Sequence, residues 1–372
     1  MLTPISLSKF LAVCTFVRIA SNFALPNPLP QSGNDGDVNP VMIGDLKTQG
    51  ATTPVGQSIM NILLGTESGQ SQVKGTNPAT GLLGLGGCKN VKDPCCIWYQ
   101  VAQDLTASFM GPTGRCNAVA RMAIRLGFHD AGTWSQSLAA AGQDFGGADG
   151  SLVLFNELTR AENRGLEVIV ALIKAEKLKY GNAISMADLI QFAANHAVVT
   201  CPLGPRVRTF IGRKDATRAA PNGLLPSVTS DATTLINLFA DKTISAHEMT
   251  ALVGAHSTSQ QFFVNSLQFA APQDATPGVW DVSFYNETLQ PSAKPGVFRF
   301  QSDSTIAADS RCSREWNAFV GDQSHWNEDY AHAYIRLSLL GVNNINNLTE
   351  CTAALPAARP SFAGSTETGK TE

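Results

Sequence analysis

Residues 117–131 read Asn117-Ala-Val-Ala-Arg121-Met-Ala-Ile-Arg125-Leu-Gly127-Phe128-His129-Asp130-Ala131. Apolar side chains recur at three- and four-residue intervals, and alanine, leucine and methionine are good helix formers, so the stretch predicts a helix ending near Gly132. In such a helix Arg125 and His129 stand one turn apart with Phe128 beside them, and a guanidinium, an imidazole and an aromatic ring share one face. Taken singly, that arrangement is equally compatible with a surface pair or with satisfied buried groups.

Further along, Ser245-Ala-His-Glu248 has the form of a capping box. It starts a second helix through Met249 to Val253 and places His256 near the far end, where the helix dipole alone also favours an imidazole. A third, less regular helical stretch, from Leu152 to about Ala175, carries Glu157 and Asn163. Gly- and Pro-rich loops, Gly142 to Gly150 and Ala220 to Pro226, separate these elements. Few segments alternate with period two, so the expected fold class is mainly α over the body of the chain, 88–355.

Of 372 residues, 44% are hydrophobic and 15% charged, which suits a folded chain. Lysine and arginine number 27 against 30 acidic residues, a formal charge of −3, and no block of like charge stands out. A nucleic-acid-binding surface and a polybasic membrane patch are therefore not expected. Residues 1–24 hold Lys9, a short apolar run from Phe10 to Val17 and small residues at Ala20, Ser21 and Ala24, the pattern of a secretory signal. The run falls short of the ~20 residues a membrane-spanning helix needs. Two sequons, Asn286-Glu-Thr288 and Asn347-Leu-Thr349, fit a secreted glycoprotein. Residues 25–87, rich in Pro, Gly, Asn, Ser, Thr and Gln with one short apolar patch at Ile59-Met-Asn-Ile-Leu-Leu64, read as a disordered or propeptide-like extension, and residues 356–372 as a disordered tail.

The order of motifs carries more than any one of them. Arg125-Leu-Gly-Phe-His129-Asp-Ala131 is followed by Gly146-Gly-Ala-Asp149-Gly-Ser151, by Glu157 and Asn163, and by Gly254-Ala-His256-Ser257. From about Cys88 to Cys351 this series resembles the haem peroxidase superfamily, and specifically the secreted fungal class II peroxidases. The resemblance implies two helical lobes with one haem b between them, and a monomer that takes hydrogen peroxide and small aromatic reductants. It implies that His129 is the base that deprotonates peroxide and then the acid that protonates the departing oxygen, a role suited to an imidazole whose inner nitrogen is unprotonated. Asn163 would then fix the tautomer, Glu157 would hold Asn163, Arg125 would stabilise the charge on the leaving oxygen, and Phe128 would pack over the haem, although ordinary core packing explains Phe128 as well. His256 would be the axial iron ligand and Asp303 its hydrogen-bond partner, making the imidazole more electron-rich.

The same resemblance implies two calcium ions. Asp130, Asp149, Ser151 and the Gly147 carbonyl would form the first site; Ser257, Asp274, Thr276, Asp281 and the Val279 carbonyl would form the second, all oxygen donors of the kind calcium takes. It pairs Cys88 with Cys96, Cys95 with Cys351 and Cys116 with Cys201, a connectivity that spacing alone does not settle. Cys312 is left over, since Arg314 stands where the family usually has a further cysteine; it is expected as an unpaired buried thiol. Two departures bear on the reductant. Positions that bind manganese in manganese-oxidising members hold Ala118, Met122 and Phe262, and the position of the surface tryptophan of lignin-oxidising members holds Ala251. The expected enzyme oxidises small phenols or similar donors at the haem edge, near the 220–226 loop. The alternatives are a non-catalytic haem-binding glycoprotein and a ligninolytic-type enzyme using another exposed side chain, such as Trp280 or Tyr285.

Overall fold

Asn117 starts the decisive helix by accepting, at its side-chain oxygen, the backbone N–H groups of Val119 and Ala120. In the computed structural model, which describes residues 39–71 and 93–362, this helix runs from Ala118 to Ala131 and is capped by Gly132. The helices, in chain order, are α1 (Gly44–Gln49), α2 (Pro54–Leu63), α3 (Cys96–Phe109), α4 (Ala118–Ala131), α5 (Gln136–Ala140), α6 (Ser151–Leu154) and α7 (Glu167–Tyr180). They continue with α8 (Met186–Thr200), α9 (Ala232–Ala240), α10 (Ala246–Val253), α11 (Ser283–Leu289), α12 (Gln301–Ala308), α13 (Ser313–Ala318) and α14 (Gln323–Leu337). Strand content among the described residues is confined to two antiparallel pairs, Phe210–Ile211 with Thr349–Glu350 and Gln260–Gln261 with Ala271–Pro272. The mainly α expectation holds.

Helix α8 is buried along its whole length and α4 packs lengthwise against it. Gly127 makes the approach possible: a Cβ there would lie 2.4 Å from the Tyr334 hydroxyl and 2.5 Å from the Ala194 methyl. Arg125 and His129 are thereby held on a helix clamped from behind. The capping box of α10 forms as expected, with Ser245 and Glu248 satisfying each other's backbone N–H, and the chain continues into a 3₁₀ turn, Gly254–Thr258, that carries His256. The expected single helical stretch from 152 to 175 is instead α6, two 3₁₀ turns (Glu157–Thr159 and Ala161–Asn163) and α7. Asn156 in the left-handed region and Gly165 with φ +87° break it.

The domain limits require two corrections. Residues 25–87 are not one extension, because residues 39–71 are built into the fold. Thr53 and Pro54 open α2 with a side-chain cap and a proline in the first turn, and Ile59, Ile62 and Leu63 are buried in the same core as the rest of the chain. Arg336 of α14, itself buried, donates to the Val41 and Leu63 carbonyls, and the Asp45 carboxylate accepts the backbone N–H groups of Ile345 and Asn346. The one short apolar patch in that polar stretch, 59–64, supplies the buried stripe of α2. Residue 359, within the expected tail, is tied into the fold: the Arg359 guanidinium donates to the Gly114 carbonyl and its own carbonyl accepts from Leu203. The signal reading, 1–24, lies outside the described residues. Among the described residues no helix is long and apolar enough to cross a membrane.

Two of the three expected disulfides are present, Cys95–Cys351 and Cys116–Cys201. Cys96 is disulfide-bonded, and its expected partner Cys88 lies outside the described residues. Cys312 is a free, buried thiol.

Candidate active site

A cavity of about 510 Å³ opens between α4 and the 3₁₀ turn after α10, with Arg125, Phe128 and His129 on one wall and His256, Leu252 and Phe300 on the other. The polar chain on the first wall defines a single protonation pattern. Asn163 Nδ2 donates to the Glu157 carbonyl oxygen at 2.9 Å, so Asn163 Oδ1 faces His129 Nδ1, also at 2.9 Å. Nδ1 therefore carries the proton, and His129 Nε2 is free to accept from Arg125 Nε at 3.2 Å. The guanidinium is held from behind by the Arg164 and Glu162 carbonyls at 2.7 and 2.9 Å.

Glu157 does hold Asn163, but through its backbone. Its carboxylate accepts the Ala220 N–H at 2.7 Å and pairs with Arg160 at 2.9 Å, and Arg160 also donates to the Ala220 and Pro221 carbonyls. Glu157 and Arg160 thus tie the 220–226 loop, whose Leu225 and Pro226 line the cavity, to the turn that carries Asn163. Arg160 was not singled out from the sequence; its position three residues after Glu157 was the only local signal. Phe128 meets the His129 ring edge-on at 5.8 Å and stacks on Phe239 at 6.1 Å.

Burial first, and then the neighbouring Arg125 charge, lower the His129 pKa from 6.5 to about 3. The imidazole is consequently a neutral base over the whole working range. The sign is simple: the base form is required, so the rate of reaction with peroxide should stay flat from pH 8 to pH 4 and fall about tenfold per unit below pH 3. Stopped-flow mixing after a short pH jump measures this, and an inflection near the ordinary histidine value of 6.5 would contradict the pattern.

On the opposite wall His256 Nδ1 lies 3.0 Å from Asp303 Oδ1. Asp303 is fully buried in the first turn of α12, so the carboxylate fixes the ring with Nε2 as the remaining ligating atom. Phe284 and Phe300 meet the imidazole edge-on.

Some members of each expected oxygen set meet, Asp149 with Ser151 and Thr276 with Asp274 and Asp281. Asp130, fully buried, accepts the Gly150 and Leu152 N–H groups, and Asp149 accepts that of Ser151. Burial and then the Asp149 charge push the Asp130 carboxyl well above its usual range. The Ser151 hydroxyl oxygen is buried without a hydrogen bond. Gly147, at φ +99°, runs so close to α14's continuation that a Cβ would sit 2.2 Å from the Leu340 carbonyl oxygen. In the second cluster Asp274 is pushed well up by burial and then by Asp281; its Oδ2 and the buried Ser257 hydroxyl make no hydrogen bond. Thr276 donates to Asp281, and Val279 closes the same turn on the Thr276 carbonyl. Glu287 of α11, missed in the sequence because it is remote from the motif, accepts the Ala275 N–H and adds negative charge there.

The sequence profile of the family described as Peroxidase matches residues 101–322. The chain belongs to the peroxidase family. Among curated relatives, "Peroxidase" of Arthromyces ramosus and "Peroxidase" of Coprinopsis cinerea are each 34% identical over 291 residues, covering 73% of this chain and 79% of theirs. "Ligninase LG2" of Phanerodontia chrysosporium is 35% identical over 285 residues, covering 72% and 76%. The protein is thus an enzyme that oxidises with hydrogen peroxide, and membership implies a haem cofactor. The cavity of this peroxidase fits one: a histidine with a free Nε2 on one wall faces a neutral imidazole and an arginine on the other.

Proposed function

We propose that this peroxidase is a secreted, monomeric enzyme that reduces hydrogen peroxide and oxidises small phenols or comparable aromatic donors at the exposed edge of a haem b group. The observation that carries the reading is the Arg125–His129–Asn163 chain facing His256 across one cavity; a haem carrier has no need of a base and a cation above the iron. His256 would ligate the iron through Nε2, with Asp303 drawing on Nδ1–H. The haem, when bound, supplies an iron centre that takes electrons from the donor and passes them to peroxide.

The rest is the work of the chain. His129 Nε2 accepts a proton from one peroxide oxygen and returns it to the other as the O–O bond breaks, while Asn163 keeps Nδ1 protonated so that Nε2 alone turns over the proton. Arg125, charged throughout and held by two carbonyls, stabilises negative charge on the leaving oxygen. Phe128, packed against His129 and Phe239, keeps the pocket narrow and dry. Asp130 directly follows His129 and Ser257 directly follows His256, so one calcium in each oxygen cluster would hold both walls; two buried carboxylate clusters with unsatisfied oxygens support that reading. Asn286 and Asn347 are both exposed, as glycan acceptors must be.

The donor reading rests on side chains around the cavity. Phe262 lines it, and Phe263, Val264, Leu267 and Phe269 of the adjoining loop are exposed, an apolar rim suited to aromatic donors. Ala118, Met122 and Phe262 offer no anionic oxygen for manganese. Ala251 is fully buried, and all five tryptophans are buried too. Trp280 and Tyr285, considered from the sequence as exposed redox residues, are fully buried and do not serve that alternative. The calcium-loaded enzyme assayed side by side should turn over a small phenol with saturation kinetics, and neither manganese(II) nor a non-phenolic methoxybenzyl alcohol. Robust turnover of either of the last two would overturn the donor reading.

A further inference from the structure

On the far side of α10 from the cavity, four side chains from three helices converge. His247 (α10) places Nε2 3.0 Å from Asp329 Oδ2 and Nδ1 3.3 Å from Glu315 Oε2. His325 Nε2 lies 3.1 Å from the same Asp329 oxygen and 3.2 Å from Glu315 Oε1. Glu315 belongs to α13; His325 and Asp329 stand one turn apart on α14. One ligand atom each from His247, Glu315 and Asp329 falls within 4.8 Å of the others.

We propose that these residues form a binding site for a divalent transition metal of the zinc class, separate from the haem and calcium sites, with His247, Asp329 and Glu315 as ligands and His325 as the fourth. Three observations lead there. The donor set is two imidazoles and two carboxylates, borderline and hard donors that suit zinc and not calcium. His247 Nε2, Asp329 Oδ2, His325 Nε2 and Glu315 Oε1 form one chain of donors at successive separations of 3.0, 3.1 and 3.2 Å, close to the roughly 3.3 Å edge of a tetrahedron around an ion with bonds of about 2.0–2.1 Å. With neutral imidazoles the two carboxylates leave two negative charges in a pocket where Asp329, Glu315 and His247 side chains are only 13%, 15% and 16% exposed, and a dication neutralises both. Phe319, fully buried, packs edge-on against both imidazoles, closing the inner side; His325, at 36% exposure, leaves a path for the ion. The bound metal would pin α10, nine residues before His256, to α13 and α14.

The test uses the full, tag-free, haem-loaded chain in excess calcium with zinc(II) as the probe. Metal analysis after gel filtration should find one zinc per chain, and zinc-edge X-ray absorption should show imidazole and carboxylate ligands at about 2.0–2.1 Å. Titration calorimetry should show affinity reduced by more than roughly 100-fold in His247→Gln and Asp329→Asn, beyond the cost of losing a mere supporting contact. His325→Gln, at the exposed rim, should weaken binding while leaving the haem absorbance and circular dichroism unchanged, so it decides the matter if the buried variants do not fold. Absence of retained zinc in the wild-type chain, or unchanged affinity in His325→Gln, would overturn the site.

Discussion

His129→Ala should slow the reaction with hydrogen peroxide by roughly 10²–10⁴-fold, the range general acid–base catalysis supplies, while haem stays bound. The prediction follows from the hydrogen-bond chain. His129 Nε2 is the unprotonated nitrogen, presented to the cavity by Asn163 at 2.9 Å and by Arg125 at 3.2 Å. Alanine removes the proton acceptor and leaves the opposite wall, His256 with Asp303, untouched. Stopped-flow mixing reads the rate, and the haem absorbance of the resting variant reads retention; a rate within tenfold of wild type would refute the role. His256→Ala should show the complementary pattern, impaired haem retention or altered iron coordination, because it removes the ligand and spares the base.

Chelating calcium should lower activity and thermal stability together. Asp130 and Asp274 are then left as buried carboxylates without a counter-ion, and breaking a buried charge pairing costs about 3–5 kcal/mol, on the order of 10 °C in Tm for a chain of this size. The pH dependence has a definite sign. In the calcium-free fold the Asp130 and Asp274 carboxyls titrate above their ordinary value of 3.8. A carboxyl with a raised folded value favours the fold when protonated, so the contribution of these two groups to calcium-free stability is greatest at acid pH and is lost as pH rises through the raised values. The gap between calcium-loaded and chelated protein should therefore be wide at pH 7 and narrow toward pH 4. Calorimetric scans at several pH values, with metal analysis to confirm removal, check this; a gap that does not change with pH would contradict the assignment of these carboxylates as ligands.

How much of this was readable from the residues depends on the range of the interaction concerned. The α4 helix, the one-turn spacing of Arg125 and His129, and the capping box that leads to His256 are set by contacts within a few positions, and sequence alone determined them. The order of motifs, through the family it resembles, likewise placed both walls of the cavity in advance, with Arg125 and His129 on one and His256 on the other. Tertiary structure decided the rest. That Glu157 holds Asn163 by its carbonyl and reserves its carboxylate for Ala220 and Arg160 is a matter of backbone path, which side-chain identity does not reveal. That residues 39–71 join the core depended on Arg336 and Asn346, nearly three hundred positions away, offering partners to a segment whose composition reads as unstructured. The cluster of His247, Glu315, His325 and Asp329 left only His325 and Asp329 one turn apart as a local trace, because the distant α10 must pack against α13 and α14 before all its imidazoles and carboxylates meet.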